Sequence, residues 1–137
     1  MHTSPRNGAI VWGCLAIALL ANIGGYIWNL YSRIRAFDEV LHAFTTFALT
    51  LPIALLLYEV ILIGAHTRPM LFILVVASLG LAVGALWEIA EWAYDQVVPG
   101  NVILGKNDTI LDLIVDLAGS LLAGIVCLGM INSNKSE

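Results

Sequence analysis

The chain has 137 residues, of which 60% are hydrophobic and only 12% charged. Soluble domains average about one half apolar and one quarter charged residues, so this composition indicates a membrane protein and excludes a soluble catalytic domain. Ten acidic residues against six basic ones give a net charge of −4. An acidic balance disfavours polyanionic partners, so we expect the lipid bilayer as a partner and no nucleic acid.

Four apolar stretches follow one another along the chain, at about residues 9–31, 40–63, 70–94 and 110–131. A helix rises about 1.5 Å per residue, so each stretch can cross a hydrocarbon core of about 30 Å. Helices are favoured over strands because backbone groups in lipid must be paired within the segment. Short connections make consecutive helices antiparallel neighbours. We therefore predict an all-α fold: a polytopic membrane protein, with residues 1–137 forming one transmembrane domain, a bundle of four antiparallel helices.

The first span carries polar side chains on an otherwise apolar helix. Their helical spacing places them within a narrow arc, at Asn22, Tyr26, Asn29 and Arg33. We expect these side chains to line a polar interior, together with Arg35 from the following connection and Asp108 from the start of the fourth span.

Most of the acidic residues fall at one end of the predicted bundle. Alternation of the spans places the start of the second, the end of the third and the start of the fourth on the same side. Eight of the ten acids lie there, against three bases, Arg33, Arg35 and Lys106. Close carboxylates cannot all stay ionised unaided. Three bases cannot neutralise eight acids, so the surplus needs a further explanation.

Helical spacing sorts these acids into facing rows, since residues three or four apart share a helix face. The rows are Asp38 with His42, Glu88 with Glu91, and Asp112 with Asp116. Small residues one turn apart continue the last two rows, so the polar faces coincide with the faces suited to close helix packing. We take these six side chains as candidate metal ligands inside the bundle.

Three interpretations of the acidic residues are open. A divalent metal ion could be bound by carboxylates and one imidazole. Alternatively, Arg33 and Arg35 could form an ion-pair network across the helices, or the acids could form a proton or cation path. A site rich in oxygen, with one nitrogen and no thiolate, favours Mg²⁺, Mn²⁺, Ca²⁺ or Zn²⁺ as the cofactor.

Three segments carry motifs that occur together in a known family. They are Phe37-Asp38 with His42 and Phe44, Trp87-Glu88-Ile-Ala-Glu91-Trp92, and Leu104-Gly105 with Asp108-Thr109, Asp112, Asp116 and Gly119. Over residues 37–124 the chain resembles the YjdF-like small bacterial inner-membrane proteins and, more distantly, the VanZ-like proteins. The resemblance implies an integral protein of the bacterial inner (plasma) membrane, and it names no reaction.

Two further classes of function stand beside cation translocation. If the chain is an enzyme, metal-assisted chemistry on a lipid or isoprenoid phosphate is the class that the acidic site favours. The alternative is a non-enzymatic accessory or scaffold subunit whose partners are other membrane protein subunits. An enzyme needs an exchangeable metal within reach of water, whereas a scaffold needs an outer face matched to its partner.

Overall fold

The computed structural model describes residues 5–34, 36–60, 68–99 and 102–134. Helix α1 spans Pro5–Ile27, the short helix α2 Leu30–Arg33, α3 Phe37–Val60, α4 Pro69–Asp95 and α5 Lys106–Asn134. The four longer helices, α1, α3, α4 and α5, are each long and apolar enough to cross a membrane. This confirms the predicted all-α fold with four membrane-spanning helices.

The first helix ends earlier than the apolar stretch from which it was predicted. Asn29 adopts a left-handed backbone conformation, with φ 55° and ψ 42°, which an α-helix cannot contain. The Asn29 N–H therefore bonds to the Tyr26 carbonyl instead of continuing the helical pattern. The span predicted at residues 9–31 thus consists of α1 and the separate turn α2.

The remaining long helices differ from the predicted boundaries by a few residues. Helix α3 begins three residues before residue 40, and α5 begins four residues before residue 110. The end predicted at residue 63 for the second span lies outside the described residues. At the start of α5, Gly105 has a φ of 135°, a conformation open to glycine and strained for other residues.

The two halves of the bundle differ in chemistry. Buried apolar side chains cluster in one half: Leu51, Ala54, Leu55, Phe72, Val76, Ala123, Cys127 and Met130. In the other half, where α3 and α5 begin and α4 ends, the buried side chains include His42, Thr46, Glu88, Asp112, Asp116 and Ser120. Because lipid is as apolar as the first set, close packing rather than water exclusion holds that half together.

Helix α5 packs closely against α3 and α4, whereas α1 packs mainly against α3. Helix α5 approaches α3 closely at Gly119, where an added Cβ would overlap with the backbone carbonyl of Ala43. Small residues permit such approaches of helix backbones in membranes. This contact brings the polar faces of α3 and α5 together.

The connection from α4 to α5 is fixed by two carboxylates. Asp95, at the end of α4, accepts hydrogen bonds from the backbone N–H of Val102 at 2.9 Å and of Ile103 at 3.0 Å. Asp108, in the first turn of α5, accepts one from the N–H of Leu104 at 2.9 Å. Residues 102–104 of the connection are therefore held at the polar end of the bundle.

Candidate metal site

The His42 imidazole lies between carboxylates from three helices. Its Nε2 atom is 3.8 Å from Oδ1 of Asp38 on α3 and 4.0 Å from Oε1 of Glu88 on α4. Its Nδ1 atom is 3.4 Å from Oδ1 of Asp116 on α5. Only 8% of His42 is exposed, so these charges meet in a desolvated interior.

Two overlapping groups of side chains have a spacing that suits a metal ion. Asp38, His42 and Asp112 each offer a ligand atom within 4.8 Å of the others, and so do His42, Glu88 and Glu91. Oxygen and nitrogen ligands lie about 2.0 to 2.4 Å from a bound divalent ion, so two ligands on opposite sides are about 4 to 4.8 Å apart. These buried acids and the histidine could therefore hold a metal ion.

Asp116 faces the other side of the imidazole and is fully buried. It accepts a hydrogen bond from the Thr46 hydroxyl, so its carboxylate is held from α3. Gly84 on α4 makes room for it, because an added Cβ there would overlap with the Asp116 carboxylate. A carboxylate on one imidazole nitrogen orients the ring and leaves the other nitrogen for a ligand.

Glu88 has an oxygen without a hydrogen-bond donor among the described residues. Its Oε1 atom is buried and accepts no hydrogen bond there, and the residue as a whole is only 6% exposed. A buried carboxylate oxygen without a donor is costly unless a cation or a proton neutralises it. Oε1 is the atom that faces Nε2 of His42. The free-energy cost of burying it therefore arises among the carboxylates that surround His42.

Glu91 lies one turn beyond Glu88 and is held differently. The indole Nε1–H of Trp87 donates a hydrogen bond to its Oε1 atom at 2.8 Å. Glu91 is half-buried, so its carboxylate lies at the border between the interior of the bundle and its surface.

A cavity of about 40 Å³ adjoins these side chains, and its lining includes Asp38, His42, Glu91 and Asp116. One water molecule needs about 10 to 15 Å³ by the same measure. The cavity therefore has room for an ion with water. We call it the inner cavity.

Of the five predicted polar lining residues that the structure describes, Asn22 is the one that lines the inner cavity. Its amide donates hydrogen bonds to the Thr45 hydroxyl at 3.0 Å and to the Ala18 carbonyl at 2.9 Å. The Tyr31 hydroxyl donates to its carbonyl oxygen at 3.4 Å. Burial, with the nearby Tyr26, raises the pKa of Tyr31 to about 12, so this phenol stays a neutral donor.

The other predicted lining residues that the structure describes do not line the inner cavity. Tyr26, Asn29 and Arg33 are exposed, and Asp108 is half-buried and binds the connection before α5. Arg35 lies outside the described residues. Within the described part of the chain Arg33 forms no ion pair, and the pairs within 4 Å all involve His42. The described residues thus contain no arginine network at this site.

Two hydroxyl residues next to the site were not among the predicted residues. Thr46 lies four residues after His42 and so continues the row of Asp38 and His42, a spacing that could have identified it. Tyr31 reaches the inner cavity because the break at Asn29 turns α2 back over the bundle end. No spacing rule in the sequence predicts that turn.

Comparison with known proteins identifies similar chains without a stated activity. The family described as "Predicted membrane protein (DUF2238)" matches residues 3–133. A protein of Thermotoga maritima, described as "Uncharacterized protein", is 33% identical over 108 residues, a match that covers 73% of this chain and 52% of that protein. The chain thus spans about half the length of this relative. No solved structure matches the chain.

Proposed function

The chain belongs to the DUF2238 family of membrane proteins, and from this premise we propose that it binds a divalent metal ion at the polar end of its bundle and acts there on a lipid or isoprenoid phosphate. Family membership also agrees with the expected YjdF-like resemblance, from which we infer a place in the bacterial inner membrane. The observation that carries the metal proposal is the buried Oε1 atom of Glu88, which accepts no hydrogen bond from the described residues and faces His42 across 4.0 Å.

In this proposal the ligands come from three helices. Asp38 and His42 of α3, Glu88 and Glu91 of α4, and Asp112 of α5 supply the ligand atoms. Asp116 belongs to neither group of closely spaced ligand atoms, so we assign it the positioning of His42 through Nδ1. Oxygen ligands in excess over nitrogen favour Mg²⁺, Mn²⁺, Ca²⁺ or Zn²⁺.

The charge of the site explains why a phosphate substrate would need the ion. An anionic phosphate is repelled by five or six carboxyl groups, and a divalent ion supplies the positive charge that binds a phosphate and polarises its oxygen. Glu91 borders the inner cavity, so its carboxylate would be placed either to complete the ligand set or to take a proton from water. The Trp87 hydrogen bond would hold the Glu91 carboxylate in position for that role.

A second candidate function follows from the low burial of α1. Only 17% of its most apolar stretch is buried inside the bundle, against 44% for that of α3. A helix with so much free surface suits an accessory subunit that contacts other membrane proteins. Metal content separates the two functions, because an accessory role does not require an exchangeable ion.

The test is elemental analysis and thermal unfolding of the protein purified in detergent, with and without a chelator. A ligand that binds only the folded state stabilises it by about 2.7 kcal/mol at a hundredfold excess over Kd. We expect the protein to contain a divalent metal in stoichiometric amount and to unfold at a lower temperature with chelator. Glu88→Gln and Glu91→Gln should lose the metal and the sensitivity to chelator.

Asp108→Asn is the matched control for these variants. It removes a negative charge from the same end of the bundle, and its amide oxygen can still accept the hydrogen bond from Leu104. It should keep both metal and chelator sensitivity. Protein that contains no metal and unfolds at the same temperature with and without chelator would contradict the proposal.

A further inference from the structure

A second, larger cavity opens on the surface beside the acidic site. It has a volume of about 420 Å³ and is lined by Tyr26, Trp87, Ala90, Glu91, Tyr94 and Val102. We call it the outer groove. Its volume falls in the range of about 300 to 1,000 Å³ that is usual for small-molecule sites.

The outer groove is built from one face of α4 and two flanking segments. The four lining residues of α4 are spaced by three, one and three residues, which places them on one helix face. Tyr26 closes the groove from α1, and Val102 closes it from the connection before α5. Because Asp95 binds the backbone N–H of Val102, that rim is fixed to the end of α4.

The chemistry of the lining favours a cation. Three aromatic rings and one carboxylate surround the groove, and none of its described lining residues is a base. Tyr26 is 67%, Trp87 46% and Tyr94 51% exposed, so their ring faces are accessible to a ligand. Aromatic faces attract organic ammonium groups, and sets of such rings bind quaternary ammonium ligands.

Interfacial tryptophan and tyrosine residues are common in membrane proteins and need no ligand. Trp28 and Trp92 are 64% and 58% exposed, and neither lines the outer groove, so they fit that ordinary role. The three rings of the groove differ because they surround one concave space together with Glu91. Aromatic residues that only anchor a protein at the membrane interface require neither a concave arrangement nor a neighbouring carboxylate.

We propose that the outer groove binds an organic ammonium group, either on a lipid headgroup or on a small soluble amine. The site goes beyond the proposed metal chemistry and does not require a bound metal. Trp87 and Glu91 line both the outer groove and the inner cavity, so a molecule held by its ammonium group would lie directly beside the acidic site.

The first test measures binding of choline to the full chain purified in a maltoside detergent, which carries no ammonium group. The uncharged choline isostere 3,3-dimethylbutan-1-ol is the matched control ligand. A cation–π site should favour choline over the isostere by about fivefold or more in Kd. Equal binding of the two ligands would show that the groove is merely apolar and would overturn the proposal.

Ring-removing variants locate the site. Tyr94→Leu and Tyr26→Leu should each weaken choline binding about three- to tenfold, whereas Tyr94→Phe should retain most of it. Trp92→Leu removes an equally exposed ring outside the groove and should leave binding unchanged. The proposal fails if Trp92→Leu weakens binding as much as Tyr94→Leu does. Because Tyr94→Phe keeps the ring, it separates loss of the site from loss of folding.

The source of the ammonium group is tested in lipid nanodiscs. If a headgroup occupies the groove, the headgroups of phosphatidylcholine discs should compete with choline and prevent its binding. Choline should still bind in phosphatidylglycerol discs, whose headgroups carry no ammonium group. If the ligand is a soluble amine, choline should bind equally in both. Binding should persist in the presence of chelator, so a failure of the metal proposal and a failure of this one give different results. Absence of a choline-selective signal in maltoside and in both kinds of disc would overturn the proposal.

Discussion

Thr46 and Thr50 lie one turn apart on α3, and both are buried, yet their hydroxyl groups differ. The Thr46 hydroxyl donates a hydrogen bond to Asp116, which faces His42. The Thr50 hydroxyl has no hydrogen-bond partner among the described residues. Removing a hydroxyl is costly where it leaves a buried partner unsatisfied and is nearly neutral where no bond is lost. The same substitution at the two positions therefore measures the importance of the Asp116 contact.

We expect Thr46→Val to lower the free energy of unfolding by about 1 to 3 kcal/mol, because the Asp116 carboxylate loses a buried donor. Thr46→Ser keeps the hydroxyl and should retain most of the stability. Thr50→Val should be neutral or stabilising. Denaturant unfolding in detergent measures all three, and equal losses at both threonines would show that the hydrogen bond to Asp116 has no special weight.

At the scale of the element, two of the three glycines on helix α5, Gly119 and Gly129, face different surroundings. Gly119 touches the backbone carbonyl of Ala43, whereas a Cβ at Gly129 would have no neighbour within 4 Å. A backbone atom cannot move aside as a flexible side chain can. The polar faces of α3 and α5 therefore meet only as long as residue 119 has no side chain.

Gly119→Ala should separate α3 from α5 and lower the free energy of unfolding by about 1 to 3 kcal/mol, as overpacked sites do. Gly129→Ala is the control on the same helix. It should be neutral or stabilising, because alanine favours the helix over glycine by up to about 1 kcal/mol. Thermal unfolding in detergent compares the stability of the two variants. Similar effects of both would contradict the close approach of α5 to α3 at Gly119.

The helices and their meeting point could be predicted because length, hydropathy and spacing act locally. Alternation of four spans placed His42, Glu88 and Asp112 at one end, and helical spacing oriented them inward. Which acids face each nitrogen of the His42 imidazole could not be predicted, since this depends on where α5 approaches α3. The left-handed conformation of Asn29 interrupts the helix on which the spacing rule was applied, so the exposure of Arg33 was not foreseen.

At the scale of the whole molecule, the start of α3, the end of α4 and the start of α5 meet around His42. The connections before α3 and after α4 must therefore lie on one side of the membrane. The end of α3 and the start of α4 must lie toward the other side. The site thus belongs to one membrane face, and the apolar half of the bundle separates it from the opposite face.

Single cysteines at Ser32 and Gln96 should react with an impermeant thiol reagent from the same side of intact vesicles, and a cysteine at Arg68 from the opposite side. All three positions are exposed. The background is Cys14→Ser with Cys127→Ala, because these are the free cysteines of the described chain. Labelling of Ser32 and Gln96 from opposite sides would be incompatible with a single acidic site.

The length of α5 has a consequence for the membrane around the protein. Its 29 residues extend about 43 Å, whereas a hydrocarbon core measures about 30 Å. The charged first turn cannot enter hydrocarbon, so the boundary falls near Ile110, with Asp112 about 3 Å and Asp116 about 9 Å below it along the helix axis. Hydrophobic mismatch is relieved by tilting or by a change in bilayer thickness. A thinner bilayer would bring the acidic site to the level of the lipid esters, whereas a thicker one would seal it from water. We therefore expect the hydration of the site to depend on local lipid composition.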